Sequence, residues 1–303
     1  MMNRKQEAST AIPQVVFLHI PKTAGMSLRG LFVKNYRGVP HFNTDLGDLT
    51  ESFWQSCLDR VRLMPKDELG RHRVFKGHMP FGLHEMLPGT VDYITFLRDP
   101  LKRVVSHYRM HCRKNVLPAD LVIDPSKKDW NLKDYPVFLR DLDNLQTRLL
   151  AGADLSLPFG ACTEEHLRQA KANLDRHFKF VGLTEQFDLS LMVLERLCGW
   201  RWHFYVPDNR ATSDSTYLSP ELLEAIRHQN RFDYDLYRYA EERLRKQVAS
   251  YGWLLKAEWR LFRLGNYVHQ AIHVSKHSIQ RRLGVERRKA MISDLSAKDI
   301  KQG

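Results

Sequence analysis

The stretch Val15-Val16-Phe17-Leu18-His19-Ile20-Pro21-Lys22-Thr23-Ala24-Gly25-Met26-Ser27-Leu28 decides the fold. Val15 to Ile20 is a short apolar, β-branched run, the pattern of a strand buried on both faces in a parallel sheet. Pro21 ends it, and Lys22-Thr23-Ala24-Gly25 leads into a helix-like stretch from Met26 to Tyr36. Such a junction brings unpaired backbone N–H groups and the positive end of a helix dipole to one point, a place for a phosphate. Gly25 permits close approach of an anion, Thr23 and Ser27 add hydroxyl donors, and Lys22 adds a point charge. The Walker pattern Gly-x4-Gly-Lys-Ser/Thr is absent, which turns the reading away from an ordinary ATP–Mg site. A lone Pro-Lys-Thr is also what an ordinary strand–turn–helix junction can show.

Working outward, Val91 to Leu97 (VDYITFL) reads as a second buried strand that stops at Arg98-Asp99-Pro100. Asp99 can cap the next helix and Pro100 suits its first turn, so Leu101 to Cys112 is expected to be helical. Arg98 ends the strand and Ser106 lies two turns into that helix, so a second anion fits between them. A planar guanidinium can give such an anion two hydrogen bonds. Further strands are expected at Arg73 to Gly77 and Phe178 to Gly182, the latter followed by a helix over Gln186 to Leu197. Ser219-Pro220-Glu221-Leu222 opens a helix expected to end near Ser250. Strands alternating with helices predict an α/β fold with a mostly parallel sheet. Asn115 to Asp134 and Pro207 to Ser219 read as surface loops, and with Phe42 to Met64 they are where ligand specificity is expected to reside.

The chain has 303 residues, 43% hydrophobic and 27% charged, which excludes disordered and collagen-like classes and allows a sizeable core. No run approaches the roughly 18 apolar residues of a membrane-spanning helix, and Met1 to Ile12 lacks the apolar core of a signal peptide. Cys57, Cys112, Cys162 and Cys198 are scattered without a Cys-x-x-Cys pair, which argues against a disulfide framework or zinc knuckle and fits a reducing compartment. The net charge of +12 is uneven: from Arg243 onward there are 14 Lys+Arg against 4 Asp+Glu, and before it 33 against 31. A nearly neutral body with a basic tail weakens the nucleic-acid reading that the overall charge would suggest.

The two motifs together, strand-PKTxGxS-helix and, about 70 residues on, strand-RDPxxRxxSxY, resemble the sulfotransferases that use 3'-phosphoadenosine 5'-phosphosulfate (PAPS). The HIPKTAG form resembles their carbohydrate branch, which includes heparan-sulfate uronosyl 2-O-sulfotransferase. Lys76-Gly77-His78, Phe180-Val181-Gly182-Leu183-Thr184-Glu185 and Asn144-Leu145-Gln146-Thr147-Arg148-Leu149-Leu150-Ala151-Gly152 agree with it, and the resemblance covers about Val15 to Tyr239. It implies an α/β, P-loop-like three-layer sandwich with a mostly parallel central sheet, and a sulfuryl transfer from PAPS to a carbohydrate or glycolipid hydroxyl, leaving the desulfated nucleotide PAP, with no metal required. Backbone N–H groups of Thr23, Ala24, Gly25, Met26 and Ser27 would hold the 5'-phosphosulfate, and Lys22 would stabilise the departing oxygen. Arg98 and Ser106 would hold the 3'-phosphate. Val181 and Gly182 would lie near the adenine, with Asn209 and Arg210 weaker candidates. His78 matches the family's base, suited to neutral pH by the ordinary imidazole pKa. His84 is its nearest rival. Heparan-type members carry His-Gly-His where this chain has Lys76-Gly77-His78, and Lys76 and Arg148 point toward an anionic acceptor.

Two divisions are expected, a sulfotransferase domain over 1–250 and a basic helical extension over 251–303. In the extension Leu254, Ala257, Leu261, Leu264, Val268 and Ala271 share one helix face, with Lys256, Arg260, Arg263 and His269 off it. Such a helix suits packing on the domain, the commoner case, or peripheral contact with a membrane surface through 253–290. His269, His273 and His277, like His107 and His111, are read as solvated helix faces, not a metal site. Golgi members of the branch carry an N-terminal membrane anchor. None is read here, so a bacterial-type cytoplasmic enzyme, at most peripheral to the inner membrane face, is expected. The competing readings are a kinase-like phosphotransferase and a polyanion-binding protein using its basic tail.

Overall fold

The structure, a computed structural model, describes residues 14–43, 58–114, 143–153, 157–200, 204–206 and 220–273, without the side chains of 108–114, 221 and 222. The expected loops at 115–134 and 207–219, Asn209, Arg210, His277, the side chain of His111, most of the 42–64 segment and the tail past 273 lie outside these residues.

Five parallel strands form one sheet in the order β2-β3-β1-β4-β5, built from β1 (Gln14–Leu18), β2 (His41–Asn43), β3 (Val74–Gly77), β4 (Val91–Leu97) and β5 (Phe178–Leu183). β1 is central and all five of its residues are buried, as a continuous apolar run between two helical layers requires. From β1 the chain first moves to β2 and β3 on one side and then crosses to β4 and β5 on the other. Right-handed crossovers therefore put helix α1 (Gly25–Asn35) on one face and the helices between β4 and β5 on the opposite face. The latter are α3 (Pro100–Lys114), α4 (Leu145–Ala151) and α5 (Glu164–His177); α2 (Lys66–Arg71) precedes β3.

After β5, α6 (Phe187–Cys198) returns to the face of α1, where Phe32 stacks on Phe17 at 4.9 Å and meets Trp200 edge-on at 4.9 Å. The helix expected to run from Ser219 to Ser250 is two helices, α7 (Pro220–Gln229) and α8 (Arg231–Ser250). The break has a side-chain cause. Asn144 Oδ1 accepts the backbone N–H groups of Phe232 (2.9 Å) and Asp233 (3.1 Å), and its amide donates to Gln229 O at 2.6 Å. Those bonds cap a new helix at Asn230 and tie it to the start of α4.

A last helix, α9, covers 252–273. Leu255 and Phe262 join the main hydrophobic core, and Asn266 Oδ1 accepts the Tyr205 N–H at 3.0 Å. The stripe expected to pack, Leu254, Leu261, Leu264 and Val268, faces outward and is exposed, so the expectation of a stripe buried on the domain is corrected. His269 is half-buried and stacks on Phe204 at 5.8 Å, and His107 is fully buried in α3, so neither belongs to a solvated face.

Candidate active site

The C-terminal ends of β1, β3, β4 and β5 lie along one edge of the sheet, where the register pairs Leu18 with Gly77 and Thr95, and Leu97 with Leu183. Connections leaving β1 and β4 step in opposite directions across the sheet, and in open α/β sheets such a switch point is the crevice where ligands bind.

The loop after β1 is held by itself. Thr23 is fully buried and its hydroxyl donates to Ile20 O at 2.8 Å, so it braces the turn and is not an outward-facing donor as expected. Lys22 (φ 71°) and Ala24 (φ 67°) both take left-handed backbone angles without being glycine. Each such residue costs about 1–3 kcal/mol and survives only where surroundings enforce it. Left-handed residues alternating with ordinary ones are the backbone pattern of an anion-binding nest, here at the start of α1, with the Thr23 N–H itself turned back to Ile20 O at 3.4 Å. No side chain caps that helix.

Gly25 departs from expectation. A Cβ there would lie 1.7 Å from His19 Nε2, so the close approach it permits is that of the His19 ring. That ring stacks in turn on His78 at 4.3 Å between centroids. His78 follows Gly77, whose φ of 148° turns the chain back over β1. The Nδ1 of His78 lies 2.8 Å from His19 O. A carbonyl can only accept, so Nδ1 carries a hydrogen, and in the neutral form of the ring the lone pair is then on Nε2.

Arg98 crosses the switch point: its Nη1 donates to Lys22 O at 3.0 Å, joining the β4 loop to the nest. Three consecutive backbone positions there are braced by two elements, α4 and the turn after β5. Thr184 Oγ1 donates to Leu97 O at 3.0 Å. Gln146 of α4 grips Arg98 twice, accepting its N–H at 3.0 Å and donating to its C=O at 2.9 Å. Glu185 accepts the Asp99 N–H at 3.2 Å. Asp99 caps α3 as expected, accepting the Lys102 N–H at 2.9 Å. Ser106 is half-buried in α3, two turns beyond Arg98. Gln146 and Glu185 had no role assigned from sequence; both fall inside stretches that carried the family resemblance.

Val181 and Gly182 are buried in β5 opposite Thr95 and Phe96, and a Cβ at Gly182 would meet the Phe96 ring at 2.5 Å. Arg148 does not point toward an acceptor: it is buried, bonded to Leu157 O and 3.7 Å from Asp143. Lys76 is buried in β3 between Phe17 and Asn43.

His84, the rival base, lies far from this edge, its Nδ1 3.1 Å from the Tyr93 hydroxyl near the start of β4. The four steps from Tyr93 to Leu97 span about 13 Å of strand. Burial, with His177 beside it, holds its imidazole below the ordinary histidine range. Burial pushes the Cys162 thiol up to about 12 and the Cys198 thiol up to about 11, which leaves both inert at neutral pH. A cleft of about 830 Å³ opens between the start of α5 and α7–α8, lined by Arg227, Arg231 and Arg238 with Glu164 and Asp235, and contains none of the expected site residues.

An all-parallel five-stranded sheet with the backbone pattern of an anion nest at its switch point is a P-loop-like α/β fold. More narrowly, residues 4–267 match the profile of the galactose-3-O-sulfotransferase family, and the chain belongs to that family. Human galactose-3-O-sulfotransferase 2 is 25% identical over 191 residues, covering 59% of this chain and 47% of that protein. Bovine galactosylceramide sulfotransferase is 28% identical over 193 residues, covering 58% and 43%. Zebrafish heparan-sulfate 6-O-sulfotransferase 2 is 33% identical over 180 residues, covering 50% and 37%. The aligned part spans less than half the length of each of these three relatives. A solved sulfotransferase from Alicyclobacillus acidocaldarius superposes with a TM-score of 0.39 at 16% identity, over 77% of this chain and 96% of that one, and adds nothing to the fold read from the strand order.

These matches support the sulfotransferase family and give no support to the 2-O branch in particular. They also correct the expectation of a cytoplasmic enzyme, since such relatives are Golgi membrane sulfotransferases. No helix among the described residues is long and apolar enough to cross a membrane, which does not bear on location.

Proposed function

We propose that the chain transfers a sulfuryl group from PAPS to a hydroxyl of a carbohydrate or glycolipid, the acceptor classes in the names of its relatives. The observation that carries this reading is the nest at Lys22–Gly25 joined to Arg98 by a hydrogen bond across the switch point. Such a junction would offer two anion positions, one at the start of α1 and one between Arg98 and Ser106, which suits a nucleotide with phosphates at both ends. When bound, PAPS supplies an activated sulfuryl group on a phosphate leaving group.

The backbone N–H groups from Thr23 to Ser27 would hold that phosphate, and Lys22 would offset the charge gathering on its bridging oxygen. His78 Nε2, with its lone pair fixed by the Nδ1–His19 bond, would take the acceptor hydroxyl's proton. The acceptor oxygen then bonds to sulfur as the sulfur–oxygen bond to phosphate breaks in line, and PAP departs. Val181 and Gly182 would border the adenine through the end of β5.

Calorimetric titration of PAP without magnesium tests the reading. Wild type should bind in the micromolar range, and Lys22→Ala and Arg98→Ala should each weaken binding about tenfold or more, the loss of one charge-assisted contact. His78→Ala should keep PAP affinity while transfer to a galactoside falls about 100-fold or more. Absence of PAP binding by folded wild type refutes the cofactor, and unchanged turnover in His78→Ala refutes the base. Binding that requires magnesium favours the phosphotransferase reading.

A further inference from the structure

Helix α9 has two apolar faces and the body covers one. Leu255, Phe262 and Asn266 are buried, with Trp259 packed on the same side. On the other side Trp253, Leu254, Leu261, Leu264, Val268 and Ile272 are exposed, with 74% of Trp253, 71% of Leu261 and 65% of Leu264 open to solvent. At about 100° of rotation per residue these six fall in one sector about 100° wide, away from Leu255 and Phe262. At about 1.5 Å of rise per residue the stripe is about 30 Å long. Soluble monomers rarely leave so long an apolar surface without a partner.

Charge selects the partner. Lys256, Arg260 and Arg263 are exposed along one edge of the stripe. Arg263 also lies 5.0 Å over the Trp259 ring and 4.0 Å from Asp188, while Lys256 and Arg260 extend the edge along the helix. Glu258 is the single acid in 252–273, and Arg196 of α6 engages it. A second copy docked on this face would bring no acid to the basic edge. Residues 274–303 hold 8 Lys+Arg against 3 Asp+Glu, so they repeat the sign of the edge.

We propose that the outward face of α9 docks on the surface of an anionic lipid bilayer. The helix lies in the plane of the surface, its apolar stripe at the headgroup–acyl boundary and Lys256 and Arg260 at the lipid phosphates. Trp253 sits at the interface, where an amphipathic ring is favoured. The inference stands on this helix alone and does not require the sulfuryl-transfer reading.

Flotation of the full chain with phosphatidylcholine vesicles, with and without about 30% phosphatidylserine, is the test. The chain should float with the anionic vesicles and much less with the neutral ones. Leu261→Glu/Leu264→Glu should reduce flotation about tenfold or more, with an unchanged thermal transition because both side chains are already exposed. If that variant does not fold, Lys256→Glu/Arg260→Glu serves in its place with the same expected loss. Failure of wild type to float overturns the proposal, as does equal flotation of the variants, which would assign binding to charge elsewhere. Self-association of wild type in solution that Leu261→Glu/Leu264→Glu abolishes would give the face to a second copy and also overturn it.

Discussion

At Gly25 the missing side chain is what lets the site form, since a Cβ there would sit inside the His19 ring. His19 in turn stacks on His78 and accepts its Nδ1–H, so three residues from two strand ends and a helix start behave as one packed unit. Gly25→Ala is expected to destabilise the fold by about 1–3 kcal/mol, the usual cost of overpacking. Adding His19→Ala to the same chain should restore part of that loss. Urea denaturation of the two variants is the check, and a cost that His19→Ala does not relieve would place the clash elsewhere. The motif itself was legible because it is contiguous. What it did not disclose was who uses the space at Gly25, for an anion and an imidazole ask for the same residue. Nor did the letters of Lys22 and Ala24 announce left-handed backbone angles, which sequence reading reserves for glycine and asparagine.

Between elements, the β4–α3 loop is held from outside. Gln146 is fully buried and spends both ends of its amide on the backbone of Arg98. The α4 helix that carries it is anchored by Asp233, which accepts the Thr147 N–H at 2.7 Å, the Thr147 hydroxyl at 2.8 Å and the Gln146 N–H at 3.2 Å. Gln146→Ala removes the partner of two part-buried backbone groups and should cost about 1–2 kcal/mol of stability. It should also weaken PAP binding about tenfold in wild type and little further in Arg98→Ala, because both changes remove the same contact. A Gln146→Ala effect on affinity that is undiminished in Arg98→Ala would show that it acts by another route.

Strand and helix positions could be read from local periodicity, and β1, β4 and α1 lie within a residue or two of expectation. The braces could not, being 48 residues away for Gln146 and 86 for Glu185. The break at Asn230 was hidden for the same reason, its cap coming from Asn144. On α9 the periodic stripe is real but lies outward, because Leu255, Trp259 and Phe262 form a second stripe and periodicity does not rank the two.

At the scale of the molecule, acidity enters through Glu195 on α6, which burial pushes up to about 8, with Arg196 opposing. The folded state therefore holds this proton more tightly than the unfolded chain does. The resulting stability is full below the ordinary carboxyl value of 4.5 and declines as pH rises toward 8. Glu195→Gln, which cannot ionise, should match wild type near pH 4 and exceed it at pH 8 by about 1–2 kcal/mol, the shift discounted for partial exposure. Urea midpoints at the two pH values measure it, and parallel changes in both proteins would remove Glu195 as the cause.

The second half of α9 is fastened to the end of the sheet that carries the site. Arg263 approaches Asp188 at the start of α6, and Tyr205 joins Asn266 to Asp188, its hydroxyl donating at 2.7 Å. With α9 on a bilayer and sulfuryl transfer at the site, both as proposed above, the body would meet lipid-anchored acceptors by lateral diffusion within a leaflet, and its rate would follow their density per unit area. Dissolved saccharides of the same headgroup would gain no such advantage.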